Sequence, residues 1–216
     1  MKLDKKGLLI VISGPSGVGK GTVRDALFQM KGHDLTFSVS MTTRQPREGE
    51  VDGREYFFVT RDEFEERIKE GKFLEYTEFV GNYYGTPLDK VNEALKDGKE
   101  MVLEIEVEGA KQVRKIMPDA VFIFIAPPTI GDLEKRLNKR GTESKEIINE
   151  RYQKAIREIG LAYQYDYIVV NDTVDNAADK IMAIIRAEHA RTTRSLEGYM
   201  ENLKLEEVDH DWIWRN

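Results

Sequence analysis

The pattern of hydrophobic and polar positions divides most of the chain into two kinds of segment, which alternate along it. Some stretches are almost continuously apolar, as buried parallel strands are: residues 8–12, 101–107, 120–128 and 165–172. Other stretches place apolar residues at helical spacing, as at Val23, Ala26, Leu27 and Met30, and Gly32 is expected to end this helix. Strands that alternate with helices predict an α/β fold with a parallel sheet flanked by helices on both faces.

Two segments depart from this alternation. Residues 38–86 carry turn signals, alternating stretches such as "REYFFV" and a helical pattern over residues 62–70, so we expect an inserted small mixed α+β subdomain with short antiparallel strands. Residues 130–160 are charged and helical with few large apolar side chains, which predicts a mobile helical lid. The predicted single domain, residues 1–216, has these parts: a core of residues 1–37, 87–129 and 161–197, the insert 38–86, the lid 130–160 and a C-terminal extension 198–216.

Length and composition restrict the class of protein. The 216 residues are enough to bury roughly 70% of the surface of the unfolded chain. Hydrophobic residues make up 40% and charged residues 33% of the chain, which is typical of a globular protein rather than a disordered one. No apolar run approaches the roughly 20 residues that span a bilayer, and the apolar run near the N-terminus is too short for a signal peptide. We therefore expect a cytoplasmic protein with no membrane partner.

Cysteine content and charge narrow the range of ligands. The chain has no cysteine, which excludes disulfides and thiolate metal sites. Its net charge of −6 argues against nucleic acid as a partner. Arginines are nevertheless clustered, at Arg44 and Arg47 and again at Arg136, Arg140 and Arg151. Local cationic pockets in an acidic protein favour a small phosphorylated ligand over a polymer.

The stretch "LLIVISGPSGVGKGTV" joins the first apolar run to the first predicted helix. It fits the pattern G-x-x-x-x-G-K, whose glycines let backbone N–H groups turn inward around phosphate oxygens at a helix N-terminus. A glycine turn without a ligand is the alternative, but the flanking strand and helix favour phosphate binding, with Lys20 reaching the terminal phosphates. The predicted ATP-binding residues are Gly14, Pro15, Ser16, Gly17, Val18, Gly19, Lys20, Gly21 and Thr22.

One position departs from the phosphate-loop pattern. Such loops place Ser or Thr after the lysine, where the hydroxyl helps to hold Mg²⁺, whereas this chain has Gly21 there and a hydroxyl one residue later, at Thr22. Mg²⁺ prefers several waters and phosphate oxygens with few protein ligands. We therefore expect Mg²⁺ to act with ATP while held mainly by phosphates and water, and we assign it no direct protein ligand.

Further along, the chain resembles the guanylate kinase family. The stretch "SVSMTTRQPREGEVDGREYFF" is followed by "GKFLEY" and "GNYYGTP", and later by "FIFIAPP" and "RLNKRGTES", in the order of the family, so that the resemblance covers about residues 7–187. It implies a P-loop NTPase fold and Mg²⁺-dependent transfer of the γ-phosphoryl group of ATP to GMP, giving ADP and GDP, in purine nucleotide metabolism and GMP recycling. We also expect dGMP as a substrate, because no residue obviously reads the ribose 2′-hydroxyl.

The resemblance assigns residues of the insert to GMP. The matches to phosphate-binding residues of the family are Arg44, Arg47, Tyr56 and Tyr84, and the matches to its guanine-reading residues are Ser40, Glu75 and Thr86. The chemistry agrees, because arginine binds phosphate with a two-pronged fork and a carboxylate such as Glu75 can accept from both N1–H and the amino group of guanine. Taken singly, each residue has a structural alternative, as a surface charge, a core residue or a strand end. Their order and spacing in the sequence favour a role in binding GMP.

The predicted lid supplies further cations. In the resembling family, arginines matching Arg136, Arg140 and Arg151 come from a lid that closes over ATP, and with Lys20 and Arg44 they complete the predicted catalytic set. Phosphoryl transfer needs positioning and charge neutralisation rather than covalent chemistry, and closure would exclude water. A solvated helix with Glu–Arg pairs is the alternative, and for Arg136 a purely structural role is a second one.

Two carboxylates lie at the end of the second apolar run, in "MVLEIEV". Glu104 and Glu106 are two residues apart, so on a strand they point to the same side of the sheet. Ligands bind at the carboxyl edge of a parallel sheet, and we expect these residues to organise a Mg²⁺-bound water or to contact the nucleotide on the GMP side. The resembling family commonly has Asp at both positions.

Two other functions are weighed against a GMP kinase. A kinase for a phosphorylated sugar on the same scaffold predicts loss of the guanine-reading residues, and they are present. A non-catalytic guanylate-kinase-like module that binds proteins predicts loss of the loop lysine or the lid arginines, and these are intact, although Gly21 favours it weakly. The C-terminal stretch "DHDWIWRN" has two tryptophans, which indicates packing on the core or on a second subunit, so a homodimer is one of two alternatives.

Overall fold

The computed structural model describes residues 6–138 and 145–203. In chain order the strands are β1 (Leu9–Ser13), β2 (Leu35–Phe37), β3 (Met41–Thr42), β4 (Phe57–Phe58), β5 (Phe73–Phe79), β6 (Asn82–Pro87), β7 (Glu100–Glu104), β8 (Val121–Ala126) and β9 (Tyr167–Val170). The helices are α1 (Lys20–Gln29), α2 (Arg61–Lys69), α3 (Leu88–Lys96), α4 (Val107–Ile116), α5 (Ile130–Asn138), α6 (Lys145–Ile159), α7 (Val174–His189) and α8 (Thr192–Asn202).

The central sheet has five parallel strands in the order β2-β7-β1-β8-β9. Four of them, β1, β7, β8 and β9, lie in the four apolar runs of the sequence, so the predicted parallel sheet is confirmed. The edge strand β2 has only three residues and none of them is fully buried. It is therefore not marked by an apolar run in the sequence.

Two apolar clusters join the central sheet to helices on its opposite faces. On one face Ile10 of β1 packs in a cluster with Leu27 of α1 and Ile181 of α7. On the other face Val11 belongs to a cluster that includes residues of α3 and Val113 of α4. Because successive strand residues face opposite sides of a sheet, the division of β1 between two clusters is what a helix–sheet–helix fold requires.

A second, four-stranded sheet has the order β4-β3-β6-β5 and packs against α2. The ring of Phe64 on α2 is fully buried and stacks on Phe73 and Tyr83, with ring centroids 4.2 Å and 5.1 Å away. The pairs β3–β6 and β5–β6 are antiparallel, but β4 pairs with β3 in parallel, so the expectation of antiparallel strands is wrong for β4. Residues 43–56 form a connection long enough for the return that parallel pairing requires.

The second apolar run requires a correction. The strand expected over residues 101–107 ends at Glu104, and Glu106 is the N-cap of α4. The alternation of apolar and acidic residues in "VLEIEV" is typical of a strand, but the chain turns into a helix as soon as it leaves the sheet. The sequence pattern predicted that Glu104 and Glu106 extend from one strand, and this prediction is wrong.

The segment 130–160 contains α5 and α6, so its predicted helical character is confirmed within the residues described. The two helices pack through a small buried cluster of Leu133, Leu137 and Ala155, which is separate from the two clusters of the central sheet. This separation is compatible with movement of the segment as a unit. Its movement as a lid stays a prediction.

The C-terminal part of the described chain is held to the core by ionic contacts. Glu188 of α7 is buried and accepts hydrogen bonds from the Tyr167 hydroxyl and from Arg194 Nε of α8, the latter at 3.2 Å. Arg194 also donates to the carbonyl oxygen of Asp119 at 2.7 Å. The two tail tryptophans lie outside the described residues. No helix within residues 6–138 and 145–203 is long and apolar enough to cross a membrane.

Removing the Phe64 ring should destabilise the second sheet. Phe64→Ala is expected to lower the free energy of unfolding by about 3 to 5 kcal/mol, since it removes a fully buried aromatic side chain and leaves a cavity. The measurement is urea unfolding followed by circular dichroism. Phe79→Ala is the matched control, because that side chain is 67% exposed and its loss should change the stability by less than about 0.5 kcal/mol. Equal effects of the two substitutions would contradict this packing.

Candidate functional site

The loop between β1 and α1 contains three glycines with a positive φ, Gly14, Gly17 and Gly19, and the first and last of them direct its path. Gly14 has a φ of 151°, and a Cβ atom there would lie 2.3 Å from the carbonyl oxygen of Ile125 on β8. Gly19, the N-cap of α1, has a φ of 93° in the left-handed region. These two glycines turn the chain sharply from the sheet edge into α1. The N-terminus of α1, with its unpaired N–H groups, therefore faces the space above the sheet.

Lys20 begins α1 and bends back over the loop. Its ammonium group donates to the carbonyl oxygens of Gly14, at 2.7 Å, and of Pro15, at 3.3 Å. Burial lowers the pKa of Lys20 from its ordinary value, while the negative charges of Glu106 and Glu104 act in the opposite direction. Carbonyl dipoles and carboxylates thus hold the Lys20 ammonium at the mouth of the loop, where an incoming phosphate can bind it.

A cleft of about 680 Å³ opens above the loop. We call it the loop cleft, and it is lined by Ser16, Gly17, Gly19, Lys20, Gly21, Thr22, Glu104, Glu106, Arg136, Arg151, Asn171, Asp172, Thr173 and Val174. The structure thus brings together six of the predicted ATP-binding residues, both carboxylates and two lid arginines. The wall after β9, from Asn171 to Val174, was not predicted, although its position at the carboxyl end of a parallel strand was a usable signal.

The lid arginines contact the loop from above. Arg136 donates to the carbonyl oxygens of Val18, at 2.8 Å, and of Asn171, at 3.1 Å. Arg151 donates to the Ser16 hydroxyl at 3.0 Å. The contacts of Arg136 with two carbonyl groups fit the structural alternative as well as a catalytic role. Arg140, the third predicted lid arginine, lies outside the described residues.

Glu104 and Glu106 reach the loop cleft from different elements and have different cationic partners. Glu104 accepts from Arg24 Nη1 of α1 at 2.8 Å, whereas Glu106 accepts from Lys154 Nζ of α6 at 2.7 Å. Burial raises the pKa of Glu104, and the positive charges of Arg24 and Lys20 oppose that rise. One carboxylate is thus tied to the loop helix and the other to the predicted lid.

A second cleft, of about 550 Å³, lies between α1 and the connection of residues 43–56 that joins β3 to β4. We call it the insert cleft, and its lining includes Arg24, Phe37, Ser40, Glu50, Arg54, Tyr56 and Glu104. Of the predicted GMP residues, Ser40, Tyr56 and Glu104 line this cleft. Because Glu104 lines both clefts, the two spaces meet at this side chain.

The predicted phosphate-binding residues of the insert form one group around Glu50. Arg44 donates to the two carboxylate oxygens of Glu50 at 3.0 Å and 2.9 Å, and the backbone N–H of Arg47 donates to the same carboxylate at 2.7 Å. The Arg44 guanidinium lies 5.4 Å from the ring centroid of Tyr56, which is 6.0 Å from that of Tyr84. The structure therefore brings the four predicted residues together. Sequence analysis missed Glu50, which aligns the Arg44 fork.

The predicted guanine-reading residues include a buried pair. The Thr86 hydroxyl on β6 donates to Glu75 Oε1 on β5 at 2.6 Å, and both side chains are buried. Gly109 of α4 leaves room for this carboxylate, since a Cβ atom there would lie 3.0 Å from Glu75 Oε2. Burial raises the pKa of Glu75, and the hydrogen bonds from Thr86 oppose the rise. A buried carboxylate is a specific acceptor for a ligand that carries adjacent donors.

A glycine loop between a strand of a parallel sheet and a helix that begins with lysine defines a P-loop nucleotide-binding protein. A family model described as guanylate kinase matches residues 6–188. The chain belongs to the guanylate kinase family.

Named relatives agree with this assignment. The chain is 58% identical over 205 residues to the guanylate kinase of Aster yellows witches'-broom phytoplasma, which covers 94% of this chain and 97% of that one. It is 56% identical over 197 residues to the guanylate kinase of Streptococcus thermophilus, with 91% and 94% covered. The crystal structure of guanylate kinase from Anaplasma phagocytophilum superposes with a TM-score of 0.72 at 31% identity, over 95% of this chain and 100% of that chain.

The buried carboxyl group of Glu75 should make stability depend on pH. Its folded pKa lies above the unfolded value, so its contribution to stability is present at low pH and is lost as the pH rises above the ordinary carboxyl range of about 4.3. Glu75→Gln keeps the acceptor for Thr86 and removes the titration. The variant should therefore be more stable than the parent protein near neutral pH, with the difference shrinking towards pH 4, in urea unfolding. A variant that is less stable at every pH would contradict this prediction.

Proposed function

We propose that this chain is an ATP:GMP phosphotransferase, in which the loop cleft holds ATP and the insert cleft holds GMP. The observation that carries the proposal is the meeting of the two clefts at Glu104, next to the loop that ends in Lys20. Two nucleotides bound in these spaces would bring their phosphates face to face. Direct transfer between them then follows, with ADP and GDP as products, as part of purine nucleotide metabolism and GMP recycling.

On the ATP side, the phosphates would take the place that loop carbonyls now fill around Lys20. Backbone N–H groups at the start of α1 would supply the cradle, and the Lys20 ammonium, now bound to Gly14 and Pro15, would turn to a terminal phosphate. Arg136 and Arg151 lie on the lid side of the same cleft. The rest of the nucleotide would extend towards the wall from Asn171 to Val174.

On the GMP side, the buried Glu75 carboxylate would accept from N1–H and the amino group of guanine, a pair of donors that adenine lacks. Such a site can discriminate by roughly 10⁴ or more, because the wrong base leaves a buried carboxylate unpaired. Ser40 and Thr86 complete the base site in this proposal. Arg44, Arg47, Tyr56 and Tyr84 would hold the phosphate, and dGMP would also be accepted.

The proposed cofactor is Mg²⁺ bound together with ATP. Such an ion would be held mainly by phosphates and water. The oxygens of Glu104, Glu106 and Thr22 at the loop cleft are suited to its waters. When bound, Mg²⁺ supplies charge neutralisation and orientation of the phosphates.

The transfer itself needs little from the protein beyond position and positive charge. The attacking oxygen of GMP is already anionic near neutral pH, so no general base is required. Lys20, Arg44 and the lid arginines would neutralise the charge that spreads over the transferred group. The predicted insert 38–86 and lid 130–160 would close on the core and exclude water from the reaction. Arg140 retains its proposed catalytic role from the sequence.

The proposed setting is the cytoplasm, with nucleotides rather than nucleic acid or a membrane as ligands. A homodimer through the C-terminal segment stays one of two alternatives. A sugar-phosphate kinase is a weaker candidate, because the buried Glu75–Thr86 pair would have no matching ligand. The binding-module alternative would leave the loop lysine and the lid arginines without a task.

A coupled ADP-release assay with ATP, Mg²⁺ and either GMP or AMP tests the proposal. We expect turnover with GMP and little with AMP. Lys20→Ala should reduce kcat on the order of 100-fold or more, because it removes a cation from the transferred phosphates. GMP binding without turnover of either nucleotide would overturn the kinase proposal and favour the binding module.

The proposed role of Glu75 in recognising the guanine base can be tested in the same assay. Glu75→Gln should lower kcat/KM for GMP by about 10- to 100-fold, the range for loss of a hydrogen bond to a charged group, and should narrow the preference for GMP over AMP. Glu108→Gln is the matched control, since that carboxylate lies on the surface of α4 with a side-chain exposure of 73%. Unchanged kinetics with GMP in Glu75→Gln would rule out this role for the carboxylate.

A further inference from the structure

The glycine after Lys20 is not required by the backbone or by crowding. Gly21 lies in the first turn of α1 and has no positive φ, unlike Gly14 and Gly19. A Cβ atom at position 21 would lie 3.8 Å from Arg24 Nη2 and 3.8 Å from Glu104 Oε1, which are ordinary contact distances. A serine would therefore fit, and its side chain would point at the Arg24–Glu104 pair. The position that the Ser or Thr hydroxyl occupies in other P-loops therefore lies next to the Glu104 carboxylate in this chain.

The pair is held in place from several sides. Arg24 follows Gly21 by one helical turn on α1, and its Nη1 donates to Glu104 Oε2 at 2.8 Å. Its Nε and Nη2 atoms donate to Asp25 Oδ1 at 3.0 Å and 2.7 Å, and the guanidinium lies 4.9 Å from the ring centroid of Phe37. The Arg24 guanidinium thus has little freedom to move away from the Glu104 carboxylate. Glu104 is in turn mostly buried, with a side-chain exposure of 17%.

We propose that Arg24 is a positioning residue, which holds the Glu104 carboxylate beside Gly21 so that this carboxylate replaces the missing loop hydroxyl as the protein oxygen facing the metal of bound ATP. The inference rests on the proposed function of the loop cleft. It accounts for how a P-loop with Gly21 binds a metal–nucleotide complex. It also gives Arg24, which the sequence motifs did not single out, a definite task.

The charges around Glu104 support this role. Arg24 and Lys20 are the cations that act on it, and Asp25 is the neighbouring anion. Without the Arg24 guanidinium, a largely buried carboxylate would keep only Lys20 as a cation, and Lys20 is also needed by the phosphates. Arg24 therefore keeps the Glu104 carboxylate aimed at the loop cleft while Lys20 turns to the nucleotide.

The test measures binding of ATP by calorimetry, with Mg²⁺ and separately with a chelator, and without GMP. In the parent protein, Mg²⁺ should strengthen ATP binding. In Arg24→Gln this gain should fall by about 10- to 100-fold, the range for loss of a residue that orients a metal-site ligand, while metal-free affinity stays within about twofold. Adding Gly21→Ser to Arg24→Gln should restore most of the gain, because a hydroxyl then returns to the metal side of the loop.

Rescue by Gly21→Ser separates a positioning role from a general loss of structure, which a serine at position 21 would not repair. Arg186→Gln, at an exposed position on α7, is the matched control and should leave both affinities unchanged. If Arg24→Gln does not fold, Glu104→Gln with and without Gly21→Ser makes the same test, with the same loss and the same rescue expected.

Three results would overturn the inference: an equal loss of ATP affinity with and without Mg²⁺, failure of Gly21→Ser to rescue, or no gain from Mg²⁺ in the parent protein. Because the readout uses only ATP and Mg²⁺, absence of GMP turnover would fail the proposed function without deciding this test.

Discussion

The structure depends on how closely the glycine loop follows the edge of the central sheet. Gly14 lies against the carbonyl oxygen of Ile125, at a distance that no side chain allows, and Gly19 turns the chain into α1 through a left-handed backbone. From this turn follow the direction of α1, the position of Lys20 at its first residue and the opening of the loop cleft. The apolar clusters on both faces of β1 hold the two ends of the loop in fixed relation.

Two largely buried carboxylates, Glu75 on β5 and Glu104 at the boundary of the two clefts, are held by the fold at a cost to its stability. Burial raises the pKa values of Glu75 and Glu104, so ionising either of them in the folded protein is unfavourable relative to water. Thr86 and Arg24 offset part of that penalty. A fold that accepts such groups is compatible with binding sites whose acceptors are completed by a ligand. In the proposed function that ligand is guanine for Glu75 and the metal–nucleotide complex for Glu104.

The sequence predicted the parts that depend on local pattern. Continuous apolar runs located β1, β7, β8 and β9, and the glycine loop located the nucleotide cleft. Pairing over long separations was not predictable in this way: the Arg24–Glu104 contact joins residues 80 positions apart, and β4 pairs in parallel through a long connection. Alternation in "VLEIEV" misplaced Glu106 on a strand, because an N-cap and a strand end can share one pattern. Glu50 and Asn171 carry no motif of their own in a single sequence.

The central claim is that two nucleotides occupy two separate clefts that meet at Glu104. Amide NMR spectra of the isotope-labelled protein, titrated with ATP and Mg²⁺ and separately with GMP, test it most directly. The account predicts that ATP shifts the amides of residues 14–22 and 171–174, whereas GMP shifts those of residues 40–47, 56, 75 and 84–86. If both nucleotides shift the same set of amides, or if GMP leaves the insert unchanged, the two-cleft account is wrong.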